Sequence, residues 1–385
     1  MRHLTAFRPL VFFPLLLLGL SFSAWAETIP DPPQLPVHSY VLMDYHSGKI
    51  LVESHSDERA EPASITKLMT GYVIYGNLRE GHVKLDDQVT ISEKAWRTEG
   101  SRMFVNVGTK VPLEDLLLGM IVQSGNDATV ALAEHVAGSE SAFADLMNQQ
   151  AAKLGLTNSH FINSPGLPDP NHYTTARDIA LLLRAIIKEF PEDYKRYSVR
   201  EYTYNNITQP NRNRLLGLDD SVDGGKTGHT KTAGYCLAVS AQRGDMRLIS
   251  VVLGAKTERE RVSATQTLLN YGYRFFESRK LYEANKPLTE ARIWKGKENK
   301  LPLGLSEDLY VTTPKGRAQE VTTALKVNPL IEAPVQKGAP FGSVVATLGA
   351  DTLSDTPLVA LQDVAEAGFF GRLWDQIVRF FSSLF

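Results

Sequence analysis

Short apolar runs flank a polar turn at two places along the chain. Runs 39–44 and 49–53 flank a four-residue turn, and runs 234–241 and 246–254 flank another, which predicts two β-hairpins. Between them, apolar residues recur at helical spacing, and a further helix is expected over about 258–271. Strands that open and close a helical segment predict an α+β fold, an antiparallel sheet covered by helices. The clearest helical stripes are Ile65, Leu68, Met69, Tyr72 and Val73; Leu113, Leu116, Leu117, Met120 and Ile121; and, after Thr175 as the expected N-cap, Ile179, Leu182, Leu183, Ile186 and Ile187.

From about residue 286 the pattern changes to short alternating runs. Turn pairs such as Lys315-Gly316 and Lys337-Gly338 separate them. Their spacing of roughly 8–15 residues predicts a small all-β domain. The runs lie at 290–295, 308–313, 320–327, 343–348 and 357–364.

The segment 365–385 has one strongly apolar and aromatic face at helical spacing. Arginine, aspartate, glutamine and serine residues occupy the opposite face. This asymmetry favours an amphipathic helix that lies in a membrane surface rather than crossing it. The alternative is a helix docked on the β domain or in a dimer. The apolar face comprises Phe369, Phe370, Leu373, Trp374, Ile377, Val378, Phe381 and Leu384.

The segment 1–26 differs from the rest of the chain. It carries two arginines and no acid, then an apolar run, and it ends in Ala24-Trp25-Ala26, which is the order of a secretory signal peptide. A membrane anchor is the alternative, but the apolar run is short for a span of about 20 residues. The predicted organisation is a signal peptide over 1–26, a large domain over 27–285, a small β-rich domain over 286–364 and the amphipathic helix over 365–385.

Composition and charge narrow the function classes. The 385 residues are 43% hydrophobic and 22% charged, with a net charge of −2, which excludes a disordered chain. A nucleic-acid binder usually has a basic excess, so no nucleic-acid partner is expected. The single cysteine, Cys236, lies in an apolar run and is expected to be a buried hydrophobe rather than a catalytic thiol. The nine histidines form no metal-binding motif, so neither metal nor cofactor is expected, and His46, His55 and His172 are expected at the surface.

A serine and a lysine at helical spacing are the first candidates for chemistry. Ser64-Ile65-Thr66-Lys67 is the only S-x-x-K sequence in the chain. On a helix, positions i and i+3 share a face, so the two side chains point together. A serine needs an adjacent base to become a nucleophile. A lysine serves as that base only when burial or a neighbouring cation lowers its pKa.

Two further motifs follow in order. Ser124-Gly125-Asn126 comes after the helix that ends near Val122, and Asp127 is expected to cap the next helix. Lys226-Thr227-Gly228 precedes the strand at 234–241. The three motifs are therefore expected at a helix start, in a loop between helices and on a strand.

These motifs resemble those of the penicilloyl-serine family, which handles D-alanyl-D-alanine peptides and β-lactams. Three longer segments, with the small β domain and the amphipathic end, are similar to the low-molecular-mass penicillin-binding proteins that act as D-alanyl-D-alanine carboxypeptidases. The resemblance covers essentially the whole chain after residue 26 and implies a serine β-lactamase/transpeptidase-like fold over 27–285. The segments are Ala63-Ser64-Ile65-Thr66-Lys67-Leu68-Met69-Thr70, Ser124-Gly125-Asn126-Asp127-Ala128 and Asp223-Gly224-Gly225-Lys226-Thr227-Gly228-His229-Thr230.

The resemblance implies four catalytic residues. Ser64 attacks the carbonyl of the penultimate D-alanine and forms an acyl-enzyme, and Lys67 is the base that takes its proton. Ser124 and Lys226 complete the proton and charge network around Lys67, and Lys226 is the cation that depresses the pKa of Lys67.

The resemblance also implies a substrate-binding set. The backbone N–H groups of Ser64 and His229 form an oxyanion hole. Asn126 holds the substrate amide, and the strand of Lys226 pairs with the extended peptide. The terminal carboxylate is bound by Thr227 and an arginine, with Arg261 as first choice and Arg212 as second. The expected substrate-binding residues are Asn126, Thr227, Gly228, His229, Arg261 and Arg212.

The resemblance implies that stem peptides of peptidoglycan are the substrate and that β-lactams acylate the enzyme. It also implies a periplasmic protein, attached peripherally to the outer face of the inner membrane. A serine β-lactamase is the first alternative, but residues 160–178 contain only Asp169 and Asp178 as acids and no glutamate for deacylation. A non-catalytic cell-wall scaffold is the second, and the paired nucleophile and base argue against it. The sequence departs from the family pattern at Gly225, where the family has a larger apolar residue before the lysine. The smaller side chain predicts a looser strand at Lys226.

Overall fold

The computed structural model describes residues 29–382, and its first part is built on one antiparallel sheet. The strands are β1 (Ser39–Asp44), β2 (Ile50–Ser54), β3 (Gln88–Thr90), β4 (Lys110–Pro112), β5 (Glu201–Tyr204), β6 (Ile207–Pro210), β7 (Val222–Thr230), β8 (Gly234–Arg243) and β9 (Met246–Ala255). Five of them form a sheet in the order β2-β1-β9-β8-β7. The pairing of β1 with β9, where Val41 lies opposite Val251, joins the two predicted hairpins. Strand β7 lies at an edge of this sheet.

Helices cover both faces of this sheet. They are α1 (Lys67–Arg79), α2 (Glu93–Arg97), α3 (Leu113–Val122), α4 (Asn126–Ala137), α5 (Glu140–Lys153), α6 (Ala176–Glu189), α7 (Pro191–Tyr194) and α8 (Glu258–Phe275). Successive side chains of a strand point to opposite faces. Val41 and Met43 therefore pack into the core under α1 and α3 to α6. Tyr40 and Leu42 pack with Leu268 of α8 on the other face. The predicted sheet covered by helices is confirmed.

Helix α6 begins as its sequence predicts. The Thr175 hydroxyl accepts a hydrogen bond from the Asp178 amide at 3.1 Å, which satisfies one of the backbone donors at the helix start. The apolar stripe that follows is buried. Local sequence therefore fixes both where this helix begins and which face it buries.

The loop before α4 is held by a buried carboxylate. The N-cap of α4 is Gly125, without a side-chain cap, so the prediction that Asp127 caps this helix is wrong. The Asp127 carboxylate instead accepts hydrogen bonds from the backbone amides of Met103 (2.9 Å), Phe104 (2.9 Å) and Val105 (3.3 Å). Asp127 thus fixes the loop 101–105 against α4, because buried backbone donors require an acceptor.

Replacing Asp127 with alanine is expected to lower the free energy of unfolding by about 3 kcal/mol or more, since hydrogen bonds to a charged group contribute about 1.5–3 kcal/mol each. Urea denaturation followed by circular dichroism measures this loss. Asp145, exposed on α5, is the matched control, and Asp145→Ala is expected to change stability by less than about 0.5 kcal/mol. Equal effects of the two substitutions would contradict a clamping role for Asp127.

The part of the chain after α8 is all-β, as predicted. Its strands are β10 (Phe276–Tyr282), β11 (Pro287–Arg292), β12 (Lys300–Gly304), β13 (Leu309–Pro314), β14 (Val321–Val327), β15 (Pro340–Leu348) and β16 (Asp351–Ala360). Strand β10 pairs with β13, and the others form a sheet in the order β11-β12-β16-β15-β14. The sequence pattern did not single out β10 and β12, because β10 follows α8 without a turn and β12 is short. The domain boundary at 285/286 stays a prediction.

Polar contacts and a ring stack join this part to the first. The Ser47 and Thr312 hydroxyls lie 2.6 Å apart, and Lys188 forms an ion pair with Glu307 at 2.7 Å. His46 stacks on Tyr310 with ring centroids 4.3 Å apart. His46 is therefore half-buried, and burial lowers its pKa, so the expectation of a surface histidine fails for His46.

Helix α9 (Phe369–Ser382) is amphipathic, as predicted. Its polar face docks on the β-rich part, where the buried Asp375 carboxylate accepts a hydrogen bond from the Lys295 amide at 2.6 Å. Its apolar face is open, with Phe370 83% and Trp374 66% exposed. Helix α9 therefore docks on the β-rich part by its polar face and leaves its apolar face exposed. None of the helices in the described chain has the length and apolar character needed to cross a bilayer. The predicted signal peptide lies outside the described residues.

Candidate active site

Ser64 lies in a short 3₁₀ turn, Ala63–Thr66, that leads directly into α1. The turn places Ser64 and Lys67 on one face, and Lys67 Nζ lies 3.0 Å from Ser64 Oγ. Lys67 is 1% exposed. The spacing argument from sequence therefore correctly predicted this contact, although the turn is tighter than an α-helix.

Burial is the main cause of the unusual acidity of Lys67. Desolvation lowers its pKa well below 10.5, and the positive charges of Lys226 and Arg212 lower it further. Its Nζ also contacts two acceptors, Asn126 Oδ1 and the Pro165 carbonyl, each at 2.8 Å. A neutral amine held in this geometry can accept a proton from Ser64.

A second lysine and serine face the first pair. Lys226 Nζ donates to Ser124 Oγ at 2.9 Å and to the Thr227 carbonyl at 3.0 Å. Burial, followed by the charges of Arg212 and Arg261, lowers the pKa of Lys226 to about 7. Ser124 has a φ of +65°, a left-handed conformation that costs energy in a residue with a side chain. The surrounding loop imposes this conformation, which holds the Ser124 hydroxyl against Lys226.

Strand β7 passes very close to the Ser64 turn. A Cβ atom on Gly228 would lie 2.9 Å from the Pro62 carbonyl oxygen and 3.2 Å from the Ala63 Cβ. Glycine at this position therefore lets β7 approach Ser64. His229, the next residue of β7, lines the same cavity as Ser64, and an oxyanion hole formed by their N–H groups stays a prediction.

A cavity of about 530 Å³ opens over Ser64. Three arginines, Arg212, Arg214 and Arg261, make one side of the cavity cationic. Glu258 Oε1 bridges two of them, at 3.1 Å from Arg214 Nε and 3.2 Å from Arg261 Nη2. Arg261 is 4% exposed, and Arg212 Nε donates to the Gln123 carbonyl at 3.0 Å. The buried Arg261, together with the exposed Arg212 and Arg214, makes this end of the cavity suited to a carboxylate. The lining residues are Ser64, Ser101, Gln123, Ser124, Pro210, Asn211, Arg212, Arg214, Thr227, Gly228, His229, Tyr235, Glu258 and Arg261.

The structure brings the predicted substrate-binding residues together. Five of the six line this cavity, the exception being Asn126. Asn126 lies behind it, where its Oδ1 accepts from Lys67 and its Nδ2 donates to the Glu99 carbonyl at 2.6 Å. Asn126 therefore positions Lys67, a role that sequence reasoning did not assign.

Gly225 does not loosen β7, and that expectation is wrong. Its φ is +129°, and a Cβ there would lie 2.2 Å from the Ala238 carbonyl oxygen. The glycine is close-packed against β8, where it pairs with Val239 just after a register shift between Val222 and Gly224. Strand β7 is therefore closely packed against β8 at the position where the sequence predicted loose packing.

His172 is the clearest departure from the predicted surface histidines. It is 2% exposed, and burial lowers its pKa to about 4. Its Nε2 lies 2.9 Å from Thr66 Oγ1, and its Nδ1 accepts from the Ile162 amide. His172 thus ties the segment around residue 162 to the Ser64 turn. His55 is exposed, as expected.

Sequence reasoning missed the segment that closes the floor of the site. Gly166 has a φ of +84°, and a Cβ there would lie 1.9 Å from the Ala63 carbonyl oxygen. This contact sets Pro165 beside Lys67. The Pro165-Gly166 pair, a turn signal, could have indicated a loop here but not its contact with Lys67. Glu258 was also missed, although it lies three residues before Arg261 on α8.

Two family models match the chain. The model described as D-alanyl-D-alanine carboxypeptidase matches residues 26–257. The model described as penicillin-binding protein 5, C-terminal domain, matches residues 276–366.

Relatives match over most of the chain. D-alanyl-D-alanine carboxypeptidase DacC of Escherichia coli K12 is 43% identical over 94% of this chain and 92% of its own length. The structure of penicillin binding protein 5 from Haemophilus influenzae is 43% identical with a TM-score of 0.82, covering 88% of this chain and 100% of that one. An ampicillin-bound structure of penicillin-binding protein D2 from Listeria monocytogenes has 28% identity and a TM-score of 0.59, covering 63% of this chain and 100% of that one. The resemblance and the predicted fold are therefore confirmed, and the chain belongs to the D-alanyl-D-alanine carboxypeptidase family of penicillin-binding proteins.

Proposed function

We propose that this protein is a serine D-alanyl-D-alanine carboxypeptidase that removes the terminal D-alanine from stem peptides of peptidoglycan. The observation that carries the proposal is the contact of a buried lysine of lowered pKa, Lys67, with Ser64 at 3.0 Å. The site opens into a cavity whose far end is lined by arginines, which suits a substrate that ends in a free carboxylate.

The geometry supports a two-step reaction. Ser64 Oγ attacks the carbonyl of the penultimate residue while Lys67 takes the hydroxyl proton. The N–H groups of Ser64 and His229 stabilise the oxyanion, each donor lowering the barrier by about 3–4 kcal/mol. The C–N bond then breaks, and D-alanine leaves as the amine with the proton that Lys67 held. Water next adds to the ester carbonyl, the C–O bond to Ser64 breaks, and Ser64 regains a proton.

Recognition of the terminal carboxylate falls to the cationic end of the cavity. Thr227 and Arg261 line the cavity, and the Lys226 amine lies against the Thr227 carbonyl at 3.0 Å. Glu258 holds Arg261 and Arg214 in place, so the guanidinium groups are oriented before the substrate arrives. Preorganisation of this kind reduces the entropy lost on binding.

The same chemistry accounts for β-lactam binding. A β-lactam carbonyl is attacked by Ser64 in the same way, but the opened ring remains attached, which yields a penicilloyl-serine. Intact mass spectrometry after incubation with benzylpenicillin, with D-alanine release from diacetyl-lysyl-D-alanyl-D-alanine, tests the proposal. A covalent adduct together with D-alanine release supports it. Rapid penicillin loss without an adduct would favour a β-lactamase, and inactivity on both would favour a scaffold.

We also propose that α9 attaches the protein to a membrane surface, at the outer face of the inner membrane. The open faces of Phe370 and Trp374 support this, because side chains of this size gain about 1.5–3 kcal/mol each on full burial. The localisation rests further on the signal peptide predicted over 1–26.

The double substitution Phe370→Ser and Trp374→Ser is expected to weaken vesicle binding by about 100-fold, because it removes most of the exposed aromatic area of α9. Co-sedimentation with vesicles of mixed zwitterionic and anionic lipids measures it. Gln376→Ser, an exposed substitution on the same helix, is the control. Unchanged sedimentation of the double variant would contradict the membrane role, and a concentration-dependent dimer that it abolishes would favour self-association instead.

A further inference from the structure

A second cleft lies beyond the C-terminal end of β7. It has a volume of about 650 Å³ and shares the lining residues His229 and Tyr235 with the active-site cavity, so the two are adjacent. No role for this cleft follows from the catalytic motifs. Its walls are residues 59–61, the turn 229–235 and residues 254–256, together with His38.

The cleft carries a surplus of positive charge. Arg59, Lys231 and Lys256 line it and are exposed. Across residues 29–382, none of the three forms an ion pair, and Arg59 stacks over the ring of Tyr173 at 4.0 Å. The acid in the cleft, Glu61, is held by the turn, because its carboxylate accepts from Thr232 Oγ1 at 2.6 Å. The three cations are therefore available to a ligand.

A peptide that pairs along β7, with its C-terminal carboxylate near Thr227, extends toward this cleft. Along β7, Thr227, which is suited to the terminal carboxylate, precedes His229, and Thr230 and Lys231, which line the cleft, follow it. Strand β7 is an edge strand, so an extended peptide can pair along it. A strand advances about 3.3 Å per residue, so Thr230, the last residue of β7, lies about 3 Å beyond His229, and Lys231 begins the turn that follows. A group on the second or third residue upstream of the scissile carbonyl therefore reaches the cleft.

We propose that this cleft is a second anion subsite, which binds a carboxylate on the substrate peptide two or three residues upstream of the scissile bond. The inference rests on the proposed carboxypeptidase function and adds a specificity determinant to it. Because the cations are exposed, each contributes modestly, and the preference depends on ionic strength.

A matched pair of peptides tests the subsite. Both end in D-alanyl-D-alanine and have equal length, and they differ only in an upstream side chain that is a free carboxylate in one and a carboxamide in the other. D-alanine release gives kcat/KM for each. At low salt, the wild-type protein is expected to favour the acidic peptide by about fivefold, since an exposed ion pair contributes about 0.2–1 kcal/mol. High salt reduces the ratio.

The double variant Arg59→Gln and Lys231→Gln is expected to lower that ratio to less than about twofold. Lys231→Glu removes the same two units of positive charge from the cleft and is expected to lower the ratio to a similar extent, while D-alanine release from the carboxamide peptide stays unchanged, which loss of folding cannot do. The double variant Lys326→Gln and Lys337→Gln, at two exposed lysines of the β-rich part, makes the same change in net charge and is expected to keep the wild-type ratio.

The outcomes separate the two proposals. If the wild-type protein releases D-alanine from neither peptide, the carboxypeptidase function itself fails. If it cleaves both equally at low salt, or if the double variant keeps the full preference, the function stands and the anion subsite is overturned.

Discussion

Substitution of Ser64 by alanine is expected to abolish the penicilloyl adduct and to reduce D-alanine release by about 10⁴-fold or more, as for loss of a catalytic nucleophile elsewhere. The reason is that Ser64 Oγ is the atom that Lys67 contacts at 3.0 Å, and it faces the cavity. Removing one oxygen from a half-exposed turn creates no cavity in the core, so the fold is expected to persist. Intact mass and D-alanine release on the same samples measure both effects.

Ser263→Ala is the matched control, because Ser263 is exposed on α8 and lies outside the cavity lining. It is expected to form the adduct as the wild-type protein does. A penicilloyl adduct on the Ser64→Ala variant, mapped to another residue, would overturn the assignment of Ser64 as nucleophile.

Substitution of Lys67 by arginine is expected to lower the acylation rate by about 10³-fold or more, because a guanidinium stays protonated and cannot accept the Ser64 proton. The wild-type rate is expected to rise with pH as Lys67 loses its proton. Since burial and the charge of Lys226 hold the pKa of Lys67 well below 10.5, that rise lies well below pH 10.5. The Lys67→Arg variant is expected to lack it. Stopped-flow acylation by a chromogenic β-lactam across pH measures both.

Two variants keep this test interpretable. Lys67→Met removes the base without burying a permanent charge, so it separates loss of catalysis from loss of stability. Lys84→Arg, at an exposed lysine, controls for the chemical change itself. A Lys67→Met variant that acylates at the wild-type rate with the wild-type pH profile would show that another group takes the proton.

Two glycines allow distant segments to approach the catalytic residues closely. Gly228 allows β7 to approach the Ser64 turn, and Gly166 allows the Pro165 carbonyl to approach Lys67. Each glycine acts by the absence of a side chain. Substitutions that add a Cβ at either position therefore move catalytic groups without touching them.

Much of the fold followed from local pattern. The hairpins around residues 45 and 244 and the helix after Thr175 were predictable because their periodicities and caps act within a few residues. The S-x-x-K contact was predictable for the same reason, since Ser64 and Lys67 are one turn apart. The all-β part was predictable in class, but β10 and β12 lacked a turn or a clear alternation to mark them.

Other features depend on contacts between distant segments, and no local signal reports them. Asp127 looks like a helix cap in sequence, but the loop at 103–105 supplies three backbone donors that compete for its carboxylate. His172 looks like a turn histidine, but the packing of its loop against the Ser64 turn buries it. In both cases the polar group bonds to a partner that folding brings near.

The sequence by itself determined the helices, the hairpins and the residue types that carry the chemistry, because these depend on spacing and side-chain identity. Only the tertiary structure decided which of those residues are buried together. Lys67 and Lys226 are 159 positions apart in the sequence, yet burial in one site lowers the pKa of both, and the charge of Lys226 lowers that of Lys67 further. The protonation state that lets a lysine act as a base is thus a property of the folded chain, since it comes from the exclusion of water and the proximity of like charge.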